Sequence, residues 1–266
     1  KRKIDITELE KFLEKDHDFK YATVVHCDTP SGVLNDIDKI CNLLKKKGIL
    51  TVVDSVAAMG GEDIRVDEWK IDIALGASQK CVSAPAGLTF LSISEDAFKL
   101  MKQRKKPIAS YYCNLLIWKD YYENKWFPYT PPISDIVGLR QAIDNILEDK
   151  EIISRHNSIG KATRKAVMEA GLNLYIEEGY SNTVTVIEIP EAINDKELLK
   201  HMVDEFNVFI AGSFGYLQGK VIRIGHMGEN AKKDKVAYTL LALQHSLRAL
   251  GFECEKNMAE VFLNEV

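Results

Sequence analysis

Two short apolar runs in this 266-residue chain each finish in a residue that can do chemistry. Ile49-Leu-Thr-Val-Val-Asp54 ends in a carboxylate, and Ile71-Asp-Ile-Ala-Leu-Gly-Ala-Ser-Gln-Lys80 ends in an amine 26 residues later. A buried parallel strand delivers its last polar side chain to the carboxyl edge of its sheet. One edge is therefore expected to carry an acid and an amine, one strand–connection–strand step apart. An aldehyde cofactor with a basic ring nitrogen needs that pair. The amine forms the imine, and the carboxylate keeps the ring nitrogen protonated as an electron sink.

The surrounding elements must hold that edge. Residues 7–16 read as a short helix with Thr7 and Glu10 at capping-box spacing. Tyr21–His26 reads as a buried strand. An amphipathic helix runs from about Asp36 to Lys47, with Ile37, Ile40, Cys41 and Leu44 on one face and Gly48 as its stop. The strand to Asp54, a helical turn at Val66–Trp69, the strand before Lys80 and a return strand from Gly87 complete a β-α-β rhythm. That rhythm predicts an α/β fold with a mostly parallel sheet. Ser94 caps a further helix. Residues 107–133 form a long aromatic loop, of the kind usually found at functional sites or interfaces. Helical periodicity then runs nearly unbroken from Ser134 to about Ala170. Beyond it come strands at Asn182–Ile189, Val208–Ala211 and Val221–Gly225, with helices at Asp195–Phe206 and Lys232–Leu250. We expect a large domain over residues 1–154 and a smaller α+β C-terminal domain over 155–266.

Composition narrows the function classes. Charged residues make up 28% and the net charge is −4, which gives no electrostatic reason to expect nucleic acid. The five cysteines are scattered without paired spacing, as reduced thiols of a cytoplasmic protein are. No stretch reaches the roughly 18 apolar residues of a membrane span. Six histidines without paired spacing do not suggest a metal site.

Five passages, in order along the chain, carry a family resemblance: His26-Cys-Asp-Thr29-Pro-Ser31-Gly32-Val-Leu, Val53-Asp54-Ser-Val56-Ala-Ala-Met-Gly60-Gly61, Gly76-Ala-Ser78-Gln79-Lys80-Cys-Val-Ser-Ala-Pro85-Ala-Gly87, Tyr129-Thr130-Pro-Pro and Arg223-Ile-Gly-His-Met-Gly228. Together the sequence resembles the class V pyridoxal-phosphate-dependent aminotransferases of fold type I, nearest to the alanine–glyoxylate and serine–pyruvate enzymes. The resemblance implies that Lys80 forms the Schiff base with pyridoxal 5'-phosphate and shuttles a proton, and that Asp54 pairs with the ring nitrogen. It implies that Val56 packs on the ring, Thr29 lies near the phenolic oxygen, and Ser78 and Gln79 lie beside the phosphate. A capping hydroxyl before Gly32 explains Thr29 nearly as well. Thr130 is implied to reach the phosphate of a second subunit, so a homodimer is expected. Where relatives often have a tyrosine, this chain has Phe127. Arg223 is implied to take the substrate carboxylate in a two-point fork. His26 and His226 read as packing groups.

The implied reaction moves an amino group between alanine or serine and glyoxylate or pyruvate, in ping-pong order. The family's segment before the first strand, with its Gly-rich phosphate turn, has no counterpart in residues 1–20. The large domain is thus expected to be incomplete at its N-terminus, with an open sheet edge and an exposed apolar face. Two other readings follow. One is a lyase or desulfurase of the same superfamily, with Cys113 on its loop. The other is a non-catalytic subunit that needs a separate N-terminal segment.

Overall fold

The structure, a computed structural model, describes residues 1–266. Helix α1 (Ile6–Lys15) begins at Asp5, whose side chain accepts the Thr7 and Glu8 amides. Thr7 is therefore not the cap: Asp5 already satisfies two of the orphan donors of the first turn. Strand β1 (Tyr21–Val25) leads into a small hairpin of β2 (Cys27–Asp28) and β3 (Val33–Leu34). Helix α2 (Ile37–Lys46) buries Ile37, Ile40, Cys41, Leu43 and Leu44, and Gly48 follows at φ +73°. Then come β4 (Leu50–Asp54), β5 (Ile73–Ala77), β6 (Thr89–Ile93) and α3 (Glu95–Lys102), the last capped by Ser94.

The first sheet has the order β1-β4-β5-β6, with β1, β4 and β5 parallel and β6 antiparallel. One face packs Val24, Val53 and Ala74 against Leu13 of α1 and Ile37 and Ile40 of α2. The alternate residues of the same strands point the other way. On that side Tyr21 is 63% exposed, Val25 40% and Leu91 37%. Three apolar side chains on that side are thus partly exposed.

The aromatic loop folds on itself: Tyr129 stacks on Tyr112 at 4.7 Å and meets the edge of Trp118 at 5.1 Å. The long helical stretch is two helices, α4 (Ile133–Glu148) and α5 (Ile152–Glu169). Asp149 interrupts it by accepting the Glu151 amide on its side chain and pairing with Arg155 at 2.6 Å. An aspartate offers the backbone this local alternative, which no hydrophobic period reveals.

The second sheet has the order β7-β9-β8, all antiparallel, built from β7 (Val184–Glu188), β8 (Ala211–Gly212) and β9 (Val221–Gly225). The expected strand from Val208 is irregular until Ala211, after Asn207 turns left-handed at φ 52° to end helix α6 (Asp195–Phe206). Helices α7 (Lys233–Ala249) and α8 (Met258–Leu263) close the lobe, with Leu198, Met202, Ile222, Leu240 and Phe262 in its core. A third cluster joins the two halves, packing Cys27, Ala57 and Ala58 against Val184, Val186, Leu217 and Val221.

Candidate active site

The carboxyl ends of β1, β4 and β5 lie side by side, and each leads to a candidate residue. Val25 is opposite Asp54, and Asp54 is opposite Leu75. The His26 amide continues the first pairing by donating to the Asp54 carbonyl at 2.8 Å. Thr29 lies in the β2–β3 turn that continues from β1, Asp54 ends β4, and Lys80 lies in the turn three residues beyond β5. The acid and the amine thus follow adjacent parallel strands at one edge. Asp54 Oδ1 accepts the Val56 amide at 3.0 Å, which fixes the carboxylate and places half-buried Val56 beside it.

The turn holding Lys80 is tightly built. Ser78 is buried; its amide donates to the Leu88 carbonyl, and the Ala84 amide donates to its own carbonyl. Its hydroxyl donates to the Pro85 carbonyl at 2.6 Å and accepts the Leu88 amide at 3.3 Å. That hydroxyl shapes the loop, which sets Ser78 apart from exposed Gln79 next to it. Lys80 is half-buried, and its carbonyl accepts the Ser83 amide at 2.9 Å.

Arg223 is on the central strand of the second sheet, opposite Val186 and Ala211. Its Nε donates to the Gly212 carbonyl at 2.7 Å, and its guanidinium is 5.9 Å from the Phe214 ring. Partial burial lowers its pKa, and the nearby Asp28 carboxylate opposes that shift. Asp28 itself is held by the Ser31 amide and hydroxyl. The turn carrying Asp28 and Thr29 presses on the second sheet at Gly32, where a Cβ would be 2.9 Å from Val186 Cγ2 and φ is +80°. Thr130 is exposed beside the stacked Tyr129.

Three buried histidines surround this region, and sequence reasoning gave two of them only a packing role and overlooked the third. His26 is 3.4 Å from Ser55 Oγ and meets Trp69 edge-on; burial pushes its pKa down to about 4. His226 bonds Thr185 Oγ1 at 2.9 Å and the Asn182 carbonyl at 3.0 Å, and burial pushes it down to about 3. His156 accepts the Gly228 amide at 2.9 Å. Burial also raises the Cys27 thiol to about 11 and the Cys81 thiol to about 12, so both remain protonated at neutral pH. Sequence reasoning also missed Ser213, whose hydroxyl oxygen is buried without a partner just after the Gly212 carbonyl that anchors Arg223. No group of three or more metal-binding side chains is placed to hold an ion, and no helix is long and apolar enough to cross a membrane.

A family model described as class-V aminotransferase matches residues 1–258. The chain belongs to the class-V aminotransferase family. Among class-V relatives, an uncharacterised aminotransferase of Methanocaldococcus jannaschii is 37% identical over 257 residues, covering 95% of this chain and 66% of its own length. A serine–glyoxylate aminotransferase of Arabidopsis thaliana is 35% identical, covering 90% of this chain and 61% of its own. The crystal structure of pyridoxamine–pyruvate aminotransferase from Mesorhizobium loti superposes with a TM-score of 0.94 at 31% identity, covering 99% of this chain and 69% of that one. The chain is thus an α/β protein of the pyridoxal-phosphate transferase fold, and it spans 61–66% of the length of these two curated class-V relatives.

Proposed function

We propose that this chain belongs to a transaminase that uses pyridoxal 5'-phosphate to move an amino group between a small amino acid, alanine or serine, and a small 2-oxo acid, glyoxylate or pyruvate. One observation carries the reading: Asp54 and Lys80 follow adjacent parallel strands at a single sheet edge. The donor set fits the cofactor, since an amine can hold its aldehyde carbon and a carboxylate can hold its ring nitrogen. When bound, the cofactor would supply a sink for the electrons released at the substrate Cα. In this reading Lys80 then moves the proton at that carbon, and Asp54 keeps a proton at the ring nitrogen. Val56 packs on the ring, and Thr29, Ser78 and Gln79 stand around it. Arg223 has its Nε on Gly212, which leaves both terminal nitrogens for a carboxylate.

The serine–glyoxylate and pyridoxamine–pyruvate relatives support a small 2-oxo acid as acceptor. Exposed Thr130, with exposed Ile133, Ile136 and Val137 on α4, supports a homodimer in which Thr130 serves the other subunit. The open face of the first sheet supports a further N-terminal segment, on this or another polypeptide, as its cover. The scattered thiols support the cytoplasm as location. We place the domain division near residues 154 and 155, in the first turn of α5. The test is direct: incubate the purified chain with pyridoxal phosphate, reduce with borohydride and map the modified peptide by mass. Attachment at Lys80, followed by alanine- or serine-dependent amino transfer to glyoxylate, supports the proposal. Sulfide release from cysteine would favour the desulfurase reading through exposed Cys113. Cofactor uptake only after adding an N-terminal segment from a relative would favour the subunit reading.

A further inference from the structure

We propose that His156 is a positioning residue for Lys80, acting through the turn at Gly228 and Glu229. The imidazole is held at both nitrogens. Nδ1 donates to the Ile152 carbonyl at 2.6 Å within α5, and Nε2 accepts the Gly228 amide at 2.9 Å. The two partners together require the neutral ring with its proton on Nδ1. Gly228 is pressed onto the segment that follows Lys80. A Cβ there would be 2.1 Å from Ser83 Oγ and 2.3 Å from the Cys81 carbonyl, and φ is +52°. The next amide, of Glu229, donates to Ser83 Oγ at 2.9 Å. Ser83 in turn donates its own amide to the Lys80 carbonyl at 2.9 Å, closing the turn that carries the lysine.

Ser83 is at φ 61°, a conformation a non-glycine residue keeps only where its surroundings impose it. Those surroundings include the Gly228–Glu229 turn, and His156 supplies the side-chain acceptor for its Gly228 amide. The same imidazole also abuts the segment after Asp54, since a Cβ on Gly61 would be 3.0 Å from His156 Cδ2 and 2.8 Å from Cys81 Sγ. One ring from α5 thereby bonds the turn that packs behind Lys80 and lies against the segment that follows Asp54.

The test compares wild type with His156→Leu and His156→Gln, whose amide oxygen can still accept the Gly228 proton. Amide hydrogen exchange is the first readout. His156→Leu should speed exchange at Ser83, Gly228 and Glu229 at least tenfold while Ile224 and Leu243 stay protected, and His156→Gln should restore protection. The second readout rests on Lys80 holding the cofactor. His156→Leu should weaken pyridoxal-phosphate uptake about tenfold and move the pH midpoint of its bound absorbance, again with rescue by glutamine. Unchanged exchange at those three amides, or an equal rise across the chain, would overturn the proposal. Should the leucine variant not fold, Ser83→Ala takes its place: exchange at Glu229 must rise, and protection equal to wild type overturns the link. Exchange behaving as expected, with no cofactor uptake by wild type either alone or with an added N-terminal segment, sinks the assignment of Lys80 and leaves the His156 link supported.

Discussion

The Val56 amide donates to Asp54 Oδ1 at 3.0 Å, so the carboxylate is oriented by its own strand end before any ligand arrives. Asparagine keeps that acceptor and removes the charge. Asp54→Asn should therefore fold normally and still take up the cofactor, while turnover falls roughly 10²–10³-fold, the range for losing one preorganised electrostatic group. Parallel titration of cofactor binding and kcat checks this. Equal loss of both would mean that the carboxylate only builds the site.

Lys80 is the amine of the proposed chemistry. Lys80→Ala should abolish borohydride-stable attachment of pyridoxal phosphate and lower amino transfer by about 10³-fold or more. Peptide mapping after reduction decides it. Retained attachment at another lysine would move the active amine elsewhere.

Arg223 tests substrate recognition apart from chemistry. Arg223→Lys keeps a positive charge and loses the fork, so KM for the amino acid should rise about 10–100-fold with a smaller change in kcat. Steady-state kinetics with alanine and with serine would show that split. A fall in kcat alone would place the arginine on the cofactor side.

Stability should fall on mild acidification. His26 and His226 titrate near 4 and 3 in the fold, against 6.5 when exposed. The unfolded chain therefore binds protons first. Full stability is present above about pH 6.5 and declines as pH falls toward 4, by roughly 2 kcal/mol per histidine at pH 5. Buried Glu62, whose carboxyl is raised by burial, opposes the trend. Urea midpoints at pH 7.5, 6 and 5 measure the sum, and a flat series would contradict it.

That Asp54 and Lys80 follow neighbouring strands was legible because a buried strand ending in a polar residue leaves a signature in one dimension. The parallel pairing of β1, β4 and β5 followed from the alternation of strands and helices. The grip on Lys80 was not legible. Gly228 stood out as part of a motif, but its reason, close approach to the Cys81 carbonyl and the Ser83 hydroxyl, spans some 145 residues. His156 is separated from Gly228 by 72 residues and lies on a helix whose start was hidden inside a continuous period. Asp5 displaced Thr7 as a cap because both are good acceptors and spacing alone could not rank them. Phe127 is exposed, so its expected departure from a tyrosine left no trace in the packing.

The uncovered side of the first sheet also governs handling. With Tyr21, Val25 and Leu91 bare, this polypeptide should cling to hydrophobic resin, brighten dyes that seek greasy surfaces, and clump as it is concentrated. Lysines at those three positions should weaken all three effects.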